Sequence, residues 1–376
     1  MARKTKAEET LSQVPWARIS HGLAAACFVL LTAGCTSIGP STVPQDRINY
    51  ETAIGDSWKE QTLLNIVKLR YADFPVFLEV SQVIAGYQMQ STLGASFTAG
   101  NVAAGLVGPV TASGTAAAAG TFTDRPTVIY SPLTGVDFLR RLMTPVPPSS
   151  VLFMLQSGYS AERIMPIMVD SINGLNNRSN RTNEPADPGF VRVVQLLRQG
   201  QVTHALQFRI ERPAEGGESS LLVFGPSKDP EIAAKGQEVR KLLGLKPDVT
   251  NVKIFYGGYA GKDDEIDMAT RSMLEIMLEL AASVEVPQTD VSQGKASPGQ
   301  TDAQAGPAGQ GPKLRVLSGD APPKDAYAAV QYGGKSFWID NTDLESKFTF
   351  AVVMMMFSAS DTGMKSAAPV VTVPAQ

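Results

Sequence analysis

Between Glu79 and Asp124 the chain runs for 44 positions without one charged residue. Few folds can use such a segment, because a long polar loop or a surface helix in water normally carries Lys, Arg, Asp or Glu. The order of its residues narrows the choice further. Tyr87, Met89, Leu93 and Phe97 alternate with Gln88, Gln90, Thr92, Ser96 and Thr98; after a connection, Val110, Ala112, Ala116, Ala118 and Phe122 alternate with Thr111, Ser113, Thr115, Thr121 and Thr123. Period two is the strand signature. An antiparallel hairpin follows, with Tyr87 opposite Phe122, Met89 opposite Gly120, Leu93 opposite Ala116 and Phe97 opposite Ala112, although a slide of two residues keeps the same faces. Thirteen residues at ~3.3 Å each reach ~43 Å, and tilted by about 45° they rise ~30 Å, the thickness of a bilayer core. Three readings of the segment stay open: a soluble arm or sheet edge, a membrane-inserting hairpin, and a low-complexity loop. Tyr87, Met89, Leu93, Phe97, Val110 and Phe122 are its candidate membrane or partner contacts.

The first 34 residues read as a targeting signal. Arg3, Lys4, Lys6 and Arg18 precede a nine-residue apolar run over 23–31, too short to span a bilayer, and small residues then lead into Cys35. Leu31-Thr32-Ala33-Gly34-Cys35 has the order of a bacterial lipoprotein cleavage site, so Cys35 is expected to become the lipidated first residue. Thr36 follows it where aspartate would retain a protein at the inner membrane, which points to the outer membrane, facing the periplasm.

Removing the first 34 of 376 residues leaves 342, enough for two modest domains with real cores. Of 33 basic and 36 acidic residues the signal takes four and two, so the mature chain has 29 and 34, a net charge of −5. A mildly acidic chain without basic runs argues against nucleic acid as a partner. Cys27 leaves with the signal and Cys35 takes lipid, so no thiol remains for a disulfide, a nucleophile or a metal cluster. His204 is the one histidine left, in a segment that alternates like a strand, and no Gly-x-Ser-x-Gly elbow exists to pair with it. Gly257-Gly258-Tyr259-Ala260-Gly261-Lys262 lacks phosphate-loop spacing and reads as a turn. Asp263, Asp264, Glu265 and Asp267, and again Asp340, Asp343 and Glu345, are explained by helix starts without a cation. No cofactor or metal is expected.

The pattern predicts an α+β fold: an N-terminal helix and the long uncharged β-hairpin, a helical segment, then a mixed α/β domain with a disordered insertion. The expected divisions are a signal over 1–34, a lipidated tether over 35–55, the helix, hairpin and helical segment over 56–188, a mixed domain over 189–287, an insertion over 288–312, a C-terminal β-hairpin and helix over 313–358, and a loose tail over 359–376. Ser57 and Glu60 are spaced as a capping box for the first helix, and Trp58, Leu63, Leu64, Ile66, Val67 and Leu69 give it an apolar face. Helices are also expected over 136–143, 149–156, 160–172, 190–198, 229–243, 264–284 and from Asn341 to about Phe357. Strands are expected over 202–210, 220–224, 252–256, 313–317, 326–332 and 335–339, with the strands after Ser220 in one sheet that the last hairpin completes.

Ser37 to Val43, the run Asp56-Ser-Trp-Lys-Glu-Gln-Thr-Leu-Leu-Asn-Ile-Val-Lys-Leu-Arg-Tyr71, and Pro75-Val-Phe-Leu78 carry a resemblance, with Tyr130 to Gly135, Ile172 to Leu175, Phe337 to Asp340 and Ser346-Lys347 as further matches. Over most of the mature chain the sequence resembles a family of proteobacterial outer-membrane lipoproteins that carries no assigned activity. The resemblance implies location and nothing about catalysis. The first expectation for function is therefore a non-enzymatic, lipid-anchored structural or assembly component of the outer membrane, partnered by the membrane and by an envelope protein or further copies of itself. Two others stand beside it: a subunit of an oligomeric pore giving one hairpin, and a periplasmic ligand-binding or carboxylate-based enzyme domain using Asp263, Asp264 or Asp340. Mass spectrometry checks the anchor: Cys35→Ala should abolish the mass added by acylation and leave the precursor uncleaved.

Overall fold

The computed structural model describes residues 39–84, 87–99, 112–124, 127–182, 184–211, 219–257, 261–296 and 314–360. They fall into two units, one of residues 1–53 with 84–127 and one of 54–83 with 128–376. The first helix, α1 (Gly39–Arg70), is a single 32-residue element, so most of the expected tether is helical and Ser57 caps nothing. Asp56 and Glu60 lie inside the helix, where Asp56 takes an ion pair from Lys59 at 2.8 Å. Leu63, Ile66 and Val67, spaced three and four apart, are fully buried. Lys68 and Arg70 complement the dipole at the C-terminal turn.

Strand β1 (Phe77–Ile84) leads to β2 (Tyr87–Ala99), and β3 (Ala112–Asp124) leads back to β4 (Thr127–Leu133). β1 pairs with β4 and β2 with β3, each pair a two-stranded sheet. After α2 (Val136–Met143), α3 (Pro148–Gln156) and α4 (Ala161–Met168) the chain enters β5 (Val169–Ile172) and the two-residue β6 (Leu175–Asn176). The helix expected over 160–172 thus stops four residues early. Pro166 withholds a backbone donor in the middle of α4, and β-branched Val169 and Ile172 suit the strand that follows.

The remaining elements of this part are α5 (Pro188–Thr203), β7 (Leu206–Glu211), β8 (Ser219–Phe224), α6 (Pro230–Leu242), β9 (Asn251–Tyr256), β10 (Glu265–Thr270) and α7 (Met273–Ala281). The main sheet has the order β6-β5-β10-β9-β8-β7. Only β10 and β9 are parallel; the other neighbours are antiparallel. Two expectations fail here for stated reasons. The start of the helix expected over 264–284 is β10, in which Ile266, Met268 and Thr270 are buried and their neighbours half-buried, a period of two. The helix begins after Ser272, whose hydroxyl accepts from the Glu275 N–H at 3.2 Å while the Glu275 carboxylate accepts from the Ser272 N–H at 2.7 Å. Residues 202–204 belong to the end of α5, not to a strand, and His204 closes that helix in the left-handed conformation with φ 57°.

Beyond α7 come α8 (Gln288–Ser292), β11 (Leu317–Gly319), β12 (Ala328–Tyr332), β13 (Lys335–Ile339) and α9 (Leu344–Ser360). The last strands form their own sheet, ordered β11-β13-β12, and do not extend the main one. Gly333 and Gly334, both at positive φ, make the β12–β13 turn as the sequence suggests. Helix α8 occupies the start of the expected insertion; 297–313 and the tail from 361 lie outside the described residues. The expected helical segment and mixed domain are one body with a shared core, to which Leu152, Ile164, Phe190, Leu222, Met277, Phe337 and Phe350 all contribute.

Two tyrosines lock the end of α1 to this core. The Tyr71 hydroxyl donates to Asp290 of α8 at 2.8 Å, and the Tyr332 hydroxyl of β12 donates to Asp73 at 3.1 Å. Their rings lie 5.1 Å apart, with Phe337 edge-on to Tyr71 at 6.1 Å. Burial, reinforced by the carboxylate each one meets, raises both phenol pKa values. The fold therefore favours neutral phenols: their contribution is complete below the free-tyrosine value of about 10 and declines as pH rises past it. Denaturant titrations should show stability falling above about pH 10, and Tyr71→Phe should blunt that fall while costing about 1 kcal/mol near neutrality.

Candidate functional site

The hairpin residues singled out in the sequence divide as follows. Tyr87, Met89, Leu93 and Phe97 lie on β2 and Phe122 on β3, while Val110 and the lipidation candidate Cys35 lie outside the described residues. The ladder is thirteen pairs long and slides two residues from the expected register. Tyr87 faces Asp124, Met89 faces Phe122, Leu93 faces Ala118 and Phe97 faces Gly114. Odd positions of β2 still share a face with even positions of β3, so the apolar set stays together. Parity fixed the face; the Ala- and Gly-rich β3 gives side-chain size little power to choose between registers two apart. On the opposite face Thr92, Ala119 and Thr121 are solvent-exposed. No third strand pairs with either edge of this ribbon among the described residues.

The second unit holds the strands that lead into and out of the ribbon. β1 is anchored to α1 by two side-chain amides one helical turn apart. Gln61 donates to the Leu78 carbonyl at 3.0 Å and accepts from the Leu78 N–H at 2.7 Å. Asn65 does the same at Val76, with 2.8 and 2.9 Å. Leu78 and Val76 are two residues apart, so their N–H and C=O groups point to the same edge of the strand. The amides take the place of a neighbouring strand there. On the other side β1 meets β4, where the Ser81 and Ser131 hydroxyls are 2.5 Å apart.

Beside this clamp lies a cavity of about 430 Å³, a size typical of ligand and contact sites. Its apolar lining includes Ile54 and Trp58 of α1, Phe77 and Leu78 of β1, Tyr130 of β4 and Phe138 of α2; its polar lining includes Ser57, Glu79, Thr134 and Arg141. Leu78 and Tyr130 are 45% and 55% exposed. Glu79 and Arg141 have no ion-pair partner among the described residues. Among the described residues its lining contains no histidine, lysine or cysteine and one charge of each sign, the chemistry of an apolar receptor.

Other charged groups are committed to structure. Glu279, buried, accepts from the Asn180 N–H at 2.5 Å and the Ser179 hydroxyl at 2.9 Å, and buried Arg271 donates to the carbonyls of Pro166 and Arg178 at 2.9 and 2.6 Å. This pins the polar 177–180 stretch into the core. Asp263 pairs with Lys246 and Glu265 with Lys262, Asp340 accepts from Thr342, Asp343 caps α9, and Glu345 pairs with Arg163. Hydrogen bonding from Lys246 holds the Asp263 carboxyl below its ordinary pKa, and bonding from Thr342 does so for Asp340. No three His, Cys, Asp or Glu side chains among the described residues are placed to hold a metal ion.

The groove and the amide clamp both escaped the sequence reading. The signal for the clamp is present: Gln61 and Asn65 are polar residues four apart on the flank of an apolar stripe, where a helix packing only by burial would carry apolar ones. No family model matches the chain, and neither a curated protein nor a solved structure matches it. Asn65→Ala should leave the Val76 backbone groups without their partner and cost about 1–3 kcal/mol in chemical denaturation.

Proposed function

We propose that this chain is a non-enzymatic, lipid-anchored component of the outer-membrane envelope, facing the periplasm, that assembles with copies of itself through the β2–β3 ribbon. The observation that carries the proposal is the ribbon: thirteen backbone pairs, no charge between Glu79 and Asp124, and no partner at either edge among the described residues. Proteins that keep a strand edge solitary guard it with lysine, inward charge, proline or a bulge. β2 and β3 contain no proline and no charge until Asp124 at the very base. A two-stranded ribbon is marginally stable alone, and pairing with further strands removes both problems at once. Location follows from the arrangement of 1–34 and Cys35 and from the lipoprotein resemblance.

The ribbon also favours a specific form of assembly, an oligomeric pore. Gln88, Gln90, Thr92, Ser96 and Thr98 share one face of β2 and Tyr87, Met89, Leu93 and Phe97 the other. Uncharged polar groups on one side and apolar groups on the other suit a lumen and a lipid surface. Closing such a barrel takes one hairpin from each of several subunits.

The test is the mass of the mature, lipidated protein in mild detergent, by light scattering with the detergent subtracted. A discrete oligomer is the expected result, and a monomer at all concentrations overturns the proposal. Phe97→Glu should shift that mass to the monomer while far-UV circular dichroism and the thermal transition of the second unit stay unchanged.

A further inference from the structure

Helix α2 has two apolar faces and only one of them is satisfied. Phe138 and Leu142, with Arg141, face the groove. Val136, Leu139 and Met143, at i, i+3 and i+7, form a stripe on the roughly opposite side. Val136 is 71% and Met143 61% exposed, and Leu139 is exposed as well. Single exposed apolar residues are ordinary, but an aligned stripe of three on an eight-residue helix is a contact surface waiting for a partner.

The groove supplies a matching receptor. Its lining combines apolar side chains with a few polar ones, the composition of an interface core and its surround. The charges match too. Arg140, which borders the stripe and is about 70% exposed, meets Asp137 alone among the described residues, at 3.3 Å. An exposed pair of this kind contributes little, so both remain available. Arg141 and Glu79 border the groove without an ion partner among the described residues. The Arg140 guanidinium of one copy complements the Glu79 carboxylate of the next.

A stripe and a receptor on opposite sides of one helix cannot fill each other within a molecule. They fit head to tail. Resting on the self-assembly proposed above, we infer that Val136, Leu139 and Met143 of each copy dock into the groove of an adjacent copy. The contact is heterologous, the class that generates rings when its rotation closes, whereas a two-fold contact would stop at a dimer. The groove is lined by β1 and β4, which flank the ribbon in sequence.

Thiol cross-linking tests this directly, since Cys27 and Cys35 are the chain's only cysteines and lipidation consumes the one that is kept. Met143→Cys and Tyr130→Cys, both at exposed positions, are produced separately and together in one cell, extracted with their lipid, and treated with a short bismaleimide. Wild type sets the background. The expected result is a dimer-mass product at least several-fold stronger when the two variants are made together than when either is made alone. Tyr130→Cys alone cross-linking as strongly as the mixture overturns the head-to-tail contact in favour of a two-fold one. An oligomer by light scattering that yields no mixed product overturns the docking and leaves ribbon assembly standing. A monomer by light scattering overturns both.

Discussion

Four hydrogen bonds from two side-chain amides fix the strand that leads into the ribbon. Gln61 and Asn65 hold Leu78 and Val76, donor to acceptor and acceptor to donor, as a neighbouring strand would. A two-stranded sheet in water is poorly stable, and the β1–β4 pair would be one if its open edge met only solvent. By giving β1 a partner on α1, the clamp ties the exit and return strands of the ribbon to a helix whose Leu63, Ile66 and Val67 are locked in the core. The choice of amides is chemical. A carboxylate accepts but cannot donate, and an ammonium donates but cannot accept, whereas Asn and Gln do both.

Charge follows the same economy of placement. Where charged side chains are buried, as at Glu279 and Arg271, they hold polar groups of the 178–180 stretch, and Arg271 also the Pro166 carbonyl of α4. This is costly chemistry used to fix a conformation, and removing one partner would strand the other. At the groove the pattern reverses, with Glu79 and Arg141 set among apolar lining residues and without an ion partner among the described residues.

Sequence reasoning succeeded where one periodicity ruled a whole segment. The α2 helix and the β13 strand begin and end where their patterns say, and the thirteen residues of β2 alternate over their full length. It failed where two periodicities share a stretch. Residues 264–284 hold a strand with buried Ile266 and Met268 and then a helix with buried Met273 and Met277, and the apolar positions of the two merge into one plausible helical stripe. The Ser272–Glu275 box was there to separate them. In α1 the error was of the opposite kind: Ser57 and Glu60 have the spacing of a cap but sit in the middle of a helix that other residues had already started. The groove was illegible because it is assembled from residues as far apart as Ile54 and Phe357, and no local pattern encodes their meeting. The hairpin's faces could be read and its register could not, since small side chains penalise a slide of two very little.

That indifference to register has an evolutionary consequence. Because faces repeat every two residues, adding a matched pair of residues to both β2 and β3 preserves every apolar and polar side while lengthening the ribbon by roughly 6.6 Å. The same is true of removal. The flanking β1 and β4 need not change at all, so reach becomes a dimension that can drift in fixed increments, independent of the fold that carries it. A chain built this way can be refitted to a thicker or thinner barrier, or to a more distant neighbour, by small insertions in one uncharged stretch.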